Sequence, residues 1–158
     1  GYEGVYQSYV GFHGDRNNPE DYEELRGLMM IHEMSTDVIE VAADGKTARG
    51  IWISPGTETA PSPGKEKGAW CWGKYEVEFI KEDGVWKFWH MTLYPLFLTP
   101  YNRSWGQPAL KMAGNGEMPD MGPYCHPLEK PFWTYGPDAI YPEDEPAVPE
   151  AYDSCPGI

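Results

Sequence analysis

Imidazole titrates near neutral pH and is the side chain most often used as a general acid or base. The chain has four histidines. Two of them fall within apolar, strand-like runs: His32 in LMMIHEM and His90 in VWKFWHMTLYPLFLTPY. Successive side chains of a strand point to opposite sides, so charged residues sort the faces. With Glu33 outward, His32 and Met34 turn inward. With Arg49 outward, Ala48, Gly50, Trp52 and Ser54 turn inward. With Lys74, Glu76 and Glu78 in water, Cys71, Gly73, Tyr75, Val77 and Phe79 face the other way. With Lys87 outward, Trp86, Phe88, His90, Thr92 and Tyr94 turn inward. The inner face then gathers His32, His90 and Tyr75 among Trp52, Phe88, Tyr94, Met34 and Cys71. Such a face is mostly apolar with a few polar groups, as in a ligand pocket. One inward histidine is readily explained as a hydrogen-bonded core residue; two on one face make acid–base chemistry an equal alternative to that reading.

The elements that must position these residues follow from periodicity and turn chemistry. Val5, Tyr6, Tyr9 and Val10 stand at helical spacing in residues 1–13. Asn18 suits an N-cap, Pro19 a first helical position, and Glu20 and Asp21 the positive helix end, predicting a second short helix to about Gly27. Strands are predicted over 28–41, 47–54, 69–81 and 85–97. Ala43-Asp44-Gly45-Lys46 and Glu82-Asp83-Gly84 form hairpin turns, and a polar loop covers 55–68. Consecutive hairpins imply an antiparallel, strongly twisted sheet. Trp70, Trp72 and Trp89 fall on its outer face, which predicts a covered surface there.

Ten of the sixteen prolines lie at or beyond Pro108. Residues 108–158 are therefore expected to form an extended arm without regular structure, following a domain over 1–107. The arm's Tyr124, Phe132, Trp133, Tyr135, Tyr141 and Tyr152 predict packing on the domain or on a neighbouring subunit.

A chain of 158 residues with 41% hydrophobic residues suits one domain with a moderate core. Seven Trp and eleven Tyr suit an aromatic-lined cavity or a large interface. The formal net charge of −13 opposes nucleic-acid binding. No apolar run is long enough for a membrane helix, and no signal peptide is visible at the start. Cys71, Cys125 and Cys155 form no CxxC pair. Reduced thiols in a cytoplasmic protein are expected, with no zinc or other metal site. The Cys125-His126 pair reads as surface packing, Glu143–Glu145 as a solvated acidic stretch, and DGKTARG as a hairpin turn lacking the glycine spacing of a phosphate loop.

The segments IHEMSTDVIEVAADGKTARGIWIS and KYEVEFIKEDGVWKFWHMTLYPLF carry a resemblance. A His-bearing strand, an I-x-V-x-x-D-G-x-T-A turn and an E-D-G-x-W-K hairpin before an aromatic strand follow in order. Over roughly residues 1–100 the chain resembles the SnoaL-like branch of the nuclear transport factor 2-like superfamily, which includes scytalone dehydratase, the bile-acid dehydratase, ketosteroid isomerase and polyketide cyclases. The resemblance implies an α+β cone in which a curved antiparallel sheet wraps around helices and a deep apolar pocket. It implies cofactor-free proton transfer on a ring-bearing substrate, and an oligomer. His32 matches the pocket histidine of the dehydratases, and Tyr75 lies where they place a polar substrate contact. His90 has no firm equivalent. The second dehydratase histidine, beyond Trp52, is replaced by a region reading SPGTE. The usual first helices do not precede GYEGVYQSYV, which resembles the third, so a partner chain or a preceding segment would supply that cap.

The function expected is a cofactor-independent lyase of the dehydratase type acting on an aromatic or polycyclic small molecule. His32 and His90 would exchange protons, Tyr75 would bond a substrate oxygen, and Trp52, Phe88 and Tyr94 would stack on the ring beside Met34 and Cys71. An isomerase, a retro-aldol lyase, or a non-catalytic binding or assembly subunit would use the same pocket.

Overall fold

A computed structural model describes residues 2–11, 14–60, 67–106, 135–141 and 144–156. The chain opens with helix α1 (Tyr2–Tyr6), which widens into a π-helical turn over Gln7–Gly11. A 3-10 turn at Pro19–Asp21 leads into α2 (Tyr22–Leu25). Asn18 caps this turn as its residue type predicts: its side chain accepts a hydrogen bond from the Glu20 amide, and Pro19 takes the first helical position. The second helix is thus shorter than predicted and begins as 3-10.

Five strands follow: β1 (Met29–His32), β2 (Ser35–Val41), β3 (Thr47–Ala60), β4 (Lys67–Glu82) and β5 (Val85–Pro100). All pairings are antiparallel, with β1 and β2 lying in succession along one edge of β3, then β4, then β5. The sheet is curled into a half-barrel, the fold class expected, with few helices.

Local chemistry explains the connections. Asp83 and Gly84 both have positive φ, of 51° and 80°. They form the two-residue turn that an Asp-Gly pair favours between Glu82 and Val85. The run predicted as one strand over 28–41 is two. The break falls between His32 and Ser35, and inside β2 a bulge between Ser35 and Val38, with Thr36 at a φ of 53°, shifts the pairing with β3.

The predicted polar loop 55–68 is mostly strand. Pro55 to Ala60 pair with Trp72 to Lys67. A proline inside a strand leaves one ladder donor missing. Here the Pro55 carbonyl accepts from the Glu33 amide; an antiparallel pair exchanges two such bonds, so the one forfeited is the reciprocal bond to Glu33, at the gap between β1 and β2. Residues 61–66 lie outside the described residues, as do 107–134, which hold Cys125, His126 and much of the predicted arm.

The two faces of the sheet are distinct. The helix face carries His32, Trp52, Gly56, Glu58, Cys71, Tyr75 and Phe79, fixed by the pairs His32–Gly56, Trp52–Tyr75 and Gly56–Cys71. The arm face is crossed by the C-terminal segment. Tyr152 and Asp153 carbonyls accept from the amides of Ala43 and Asp44, and the Tyr152 hydroxyl bonds that of Thr47 at 3.0 Å. Lys74, expected in water, is buried under this segment; its Nζ donates to the Glu145 carbonyl at 2.7 Å and sits over the Tyr141 ring. Trp72, Phe97 and Trp105 stack in series on the same face, and Tyr135 meets Trp105 edge-on. The described parts of the arm contain turns but no helix or strand.

Candidate active site

The helix face brings together a histidine, a carboxylate, a thiol and a phenol. His32 ends β1 opposite Gly56. That glycine is required by close approach. A Cβ there would lie 2.8 Å from the Ile31 carbonyl oxygen and 3.3 Å from that of Cys71, so any side chain would push β1 or β4 away. Two residues along β3, Glu58 presents its carboxylate to the imidazole, with His32 Nε2 and Glu58 Oε1 2.9 Å apart. Both side chains are mostly buried, at 19% and 24% exposure, so their attraction is less screened than a surface pair's. An ionised carboxylate only accepts, so a neutral His32 facing it carries its proton on Nε2 and offers the Nδ1 lone pair.

Cys71 sits across from Gly56 and is buried. Burial pushes its thiol up to about 12, helped by the charge of Glu58 and a hydrogen bond to that carboxylate. Cys71 is therefore a protonated donor, not a nucleophile. Tyr75 lies farther along β4. Burial raises its phenol above the ordinary value, with further contributions from Tyr9, Cys71 and Glu58. It remains a neutral O–H donor across the physiological range. Ser54 Oγ, on the same face one pair along from Gly56, is buried with no hydrogen-bond partner among the described residues.

Other expected site residues stand elsewhere. His90 pairs with Glu78 and Phe88 with Phe79, so Trp89 is an extra residue in β5. One extra residue reverses the parity of everything beyond it. Phe88 keeps the helix face as expected, whereas His90, Thr92 and Tyr94 turn to the arm face. A second single-residue bulge at Leu96, between the pairs Gly73–Pro95 and Trp72–Phe97, restores the original parity. His90 is consequently separated from His32 by the sheet; its Nδ1 bonds Glu78 Oε2 at 2.8 Å, beside Arg49 on the other oxygen of that carboxylate. Tyr94 donates to Glu76 at 2.6 Å.

Phe88 shares the face of His32 but not its neighbourhood. Phe79, its partner, lies eight residues from Cys71, roughly 26 Å along an extended strand, too far for one ring system to touch both. Trp52 faces Tyr75, yet its ring folds back over Gly50 and meets Phe79 edge-on at 6.1 Å. Met34 lies past the end of β1 and is exposed. Among the described residues a cleft of about 360 Å³ opens on the arm face instead, between Arg49, Glu76, Glu78 and residues 147–150. Its walls carry both signs of charge, and no thiol or catalytic pair lines it.

Sequence reasoning missed Glu58 as the partner of His32. The alternation Thr57-Glu58-Thr59, with β-branched residues flanking the acid, was a strand signal; the prolines and glycines around it outweighed that signal.

A curled antiparallel half-barrel with few helices is the architecture of a nuclear transport factor 2-like protein. The SnoaL-like domain family model matches residues 4–92, and the chain belongs to that family. Its members are often cyclases, dehydratases or isomerases. A search of curated proteins finds no significant match to the chain. Among the described residues no helix is long and apolar enough to cross a membrane.

Proposed function

We propose that this protein is a cofactor-independent lyase that removes water from a hydroxylated, ring-bearing carbonyl compound by proton transfer at His32. The observation that carries this reading is the His32–Glu58 bond on the helix face, with Tyr75 within electrostatic reach of the same carboxylate.

In this scheme His32 Nδ1 takes the proton next to the substrate carbonyl. Glu58 holds the ring and stabilises the imidazolium that forms. Tyr75 donates to the carbonyl oxygen as negative charge develops there. The imidazolium then returns its proton to the departing hydroxyl, which leaves as water. The electron pair of the broken C–H bond becomes the new double bond, and the enzyme regains its starting protonation. Isomerisation needs only that the proton return to a different carbon, so it shares the first step.

That first step is testable without knowing the product. Cyclic and polycyclic β-hydroxy ketones incubated with the protein in D2O should exchange the hydrogen next to the carbonyl, read by NMR. A positioned base contributes about 10²–10⁴-fold. His32→Gln should lower exchange by at least the smaller of these factors; a rate equal to wild type would exclude His32 as the base.

A further inference from the structure

We propose that His32, Glu58 and Cys71 form a binding site for a thiophilic divalent cation of the zinc class, with water completing the coordination. Each residue offers one ligand atom, and the three atoms lie within 4.8 Å of one another. They come from β1, β3 and β4, held in place by the pairs His32–Gly56 and Gly56–Cys71. No local motif encodes the set, because the ligands are 26 and 13 positions apart.

The donor chemistry is selective. Imidazole nitrogen, carboxylate oxygen and thiolate sulfur together suit zinc or cobalt better than magnesium or calcium, which prefer oxygen alone. With bonds of about 2.0 Å to nitrogen and oxygen and about 2.3 Å to sulfur, tetrahedral ligand atoms stand roughly 3.3–3.6 Å apart. The 2.9 Å between His32 Nε2 and Glu58 Oε1 must therefore open by a few tenths of an ångström.

Three protein ligands leave one position for water. Ser54 supplies an independent sign that something polar belongs here. Ser54 is only 2% exposed and its hydroxyl finds no partner among the described residues, although buried hydroxyls are nearly always bonded. It lies on the same face, one cross-strand pair from Cys71, where a cation's water would satisfy it. The formal charge of −13 favours cation capture overall.

Loading balances simply: the Cys71 S–H bond breaks, its electron pair forms the metal–sulfur bond, and one proton goes to solvent. Metal on His32 withdraws the imidazole from proton transfer, so the loaded and proton-transferring forms are alternative states. The site itself does not depend on the lyase reading, and its test uses no substrate.

The test is titration of chelator-treated protein with Co²⁺, followed by displacement with Zn²⁺. One equivalent of cobalt should produce a thiolate-to-metal charge-transfer absorption that zinc abolishes. Cys71→Ser should remove that absorption. Glu58→Gln should keep it and weaken apparent affinity by at least about tenfold, which also decides the matter if Cys71→Ser does not fold. No absorption at stoichiometric cobalt, an absorption surviving Cys71→Ser, or wild-type affinity in Glu58→Gln would each overturn the site.

Discussion

His32 Nε2 and Glu58 Oε1 stand 2.9 Å apart although 26 positions separate them in the chain. Two features make this contact: β3 runs on through Pro55 to Ala60, and Gly56 lets β1 lie close against it. The partner of His32 on the helix face is thus a carboxylate, and His90, expected beside it from alternation, lies on the other face.

If His32 and Glu58 act as one unit, their losses will not add. His32→Gln and Glu58→Gln should each reduce hydrogen exchange into a β-hydroxy ketone, His32→Gln by about 10²–10⁴-fold. The double variant should fall little below His32→Gln alone. Additive losses would mean that the two residues serve separate steps.

His90→Ala should leave that exchange within about twofold of wild type, the range expected of a surface change, because Trp89 turns His90 to the opposite face. A loss of tenfold or more would place a substrate on the arm face.

Gly56→Ala should destabilise the fold by about 1–3 kcal/mol, as overpacking does, since the new methyl meets the Ile31 carbonyl at 2.8 Å. Urea unfolding followed by circular dichroism measures this; an unchanged midpoint would show that β1 yields freely.

Cys71 should resist alkylation. A buried thiol held near 12 is about three orders of magnitude less ionised at pH 8 than a free one. In metal-free buffer, iodoacetamide should label Cys71 rapidly only after urea unfolding, as read by peptide mass spectrometry. Rapid native labelling would place the thiol in an open, electropositive setting.

Tyr94 ties stability to alkaline pH. Burial raises its phenol, followed by the hydrogen bond to Glu76 and the charges of Glu76 and Glu145. The folded state therefore holds the proton after the unfolded state has released it. Stability present below about pH 10 is lost as pH rises toward the folded value, with a limiting slope of about 1.4 kcal/mol per unit. Tyr94 is only half-buried, so solvent screening leaves a fraction of that slope. Urea midpoints between pH 9 and 11 should fall less steeply for Tyr94→Phe than for wild type; parallel lines would remove Tyr94 as a contributor.

The sequence by itself determined the order of strands, both hairpin turns, the Asn18 cap, the curled antiparallel sheet and the family. These rest on local periodicity and turn chemistry, which a few neighbouring residues encode. It also sorted the faces of β3 and β4, where alternation runs unbroken from Thr47 to Ala60 opposite Lys67 to Ile80. Tertiary structure decided where alternation fails. A bulge costs the chain one residue of register and leaves no composition signature, so the position of His90 depended on pairing with β4. The same holds for Glu58, whose Pro- and Gly-rich surroundings read locally as a loop. Only β1 and β4 on either side, supplying partners for its backbone, make it a strand and carry its carboxylate to His32.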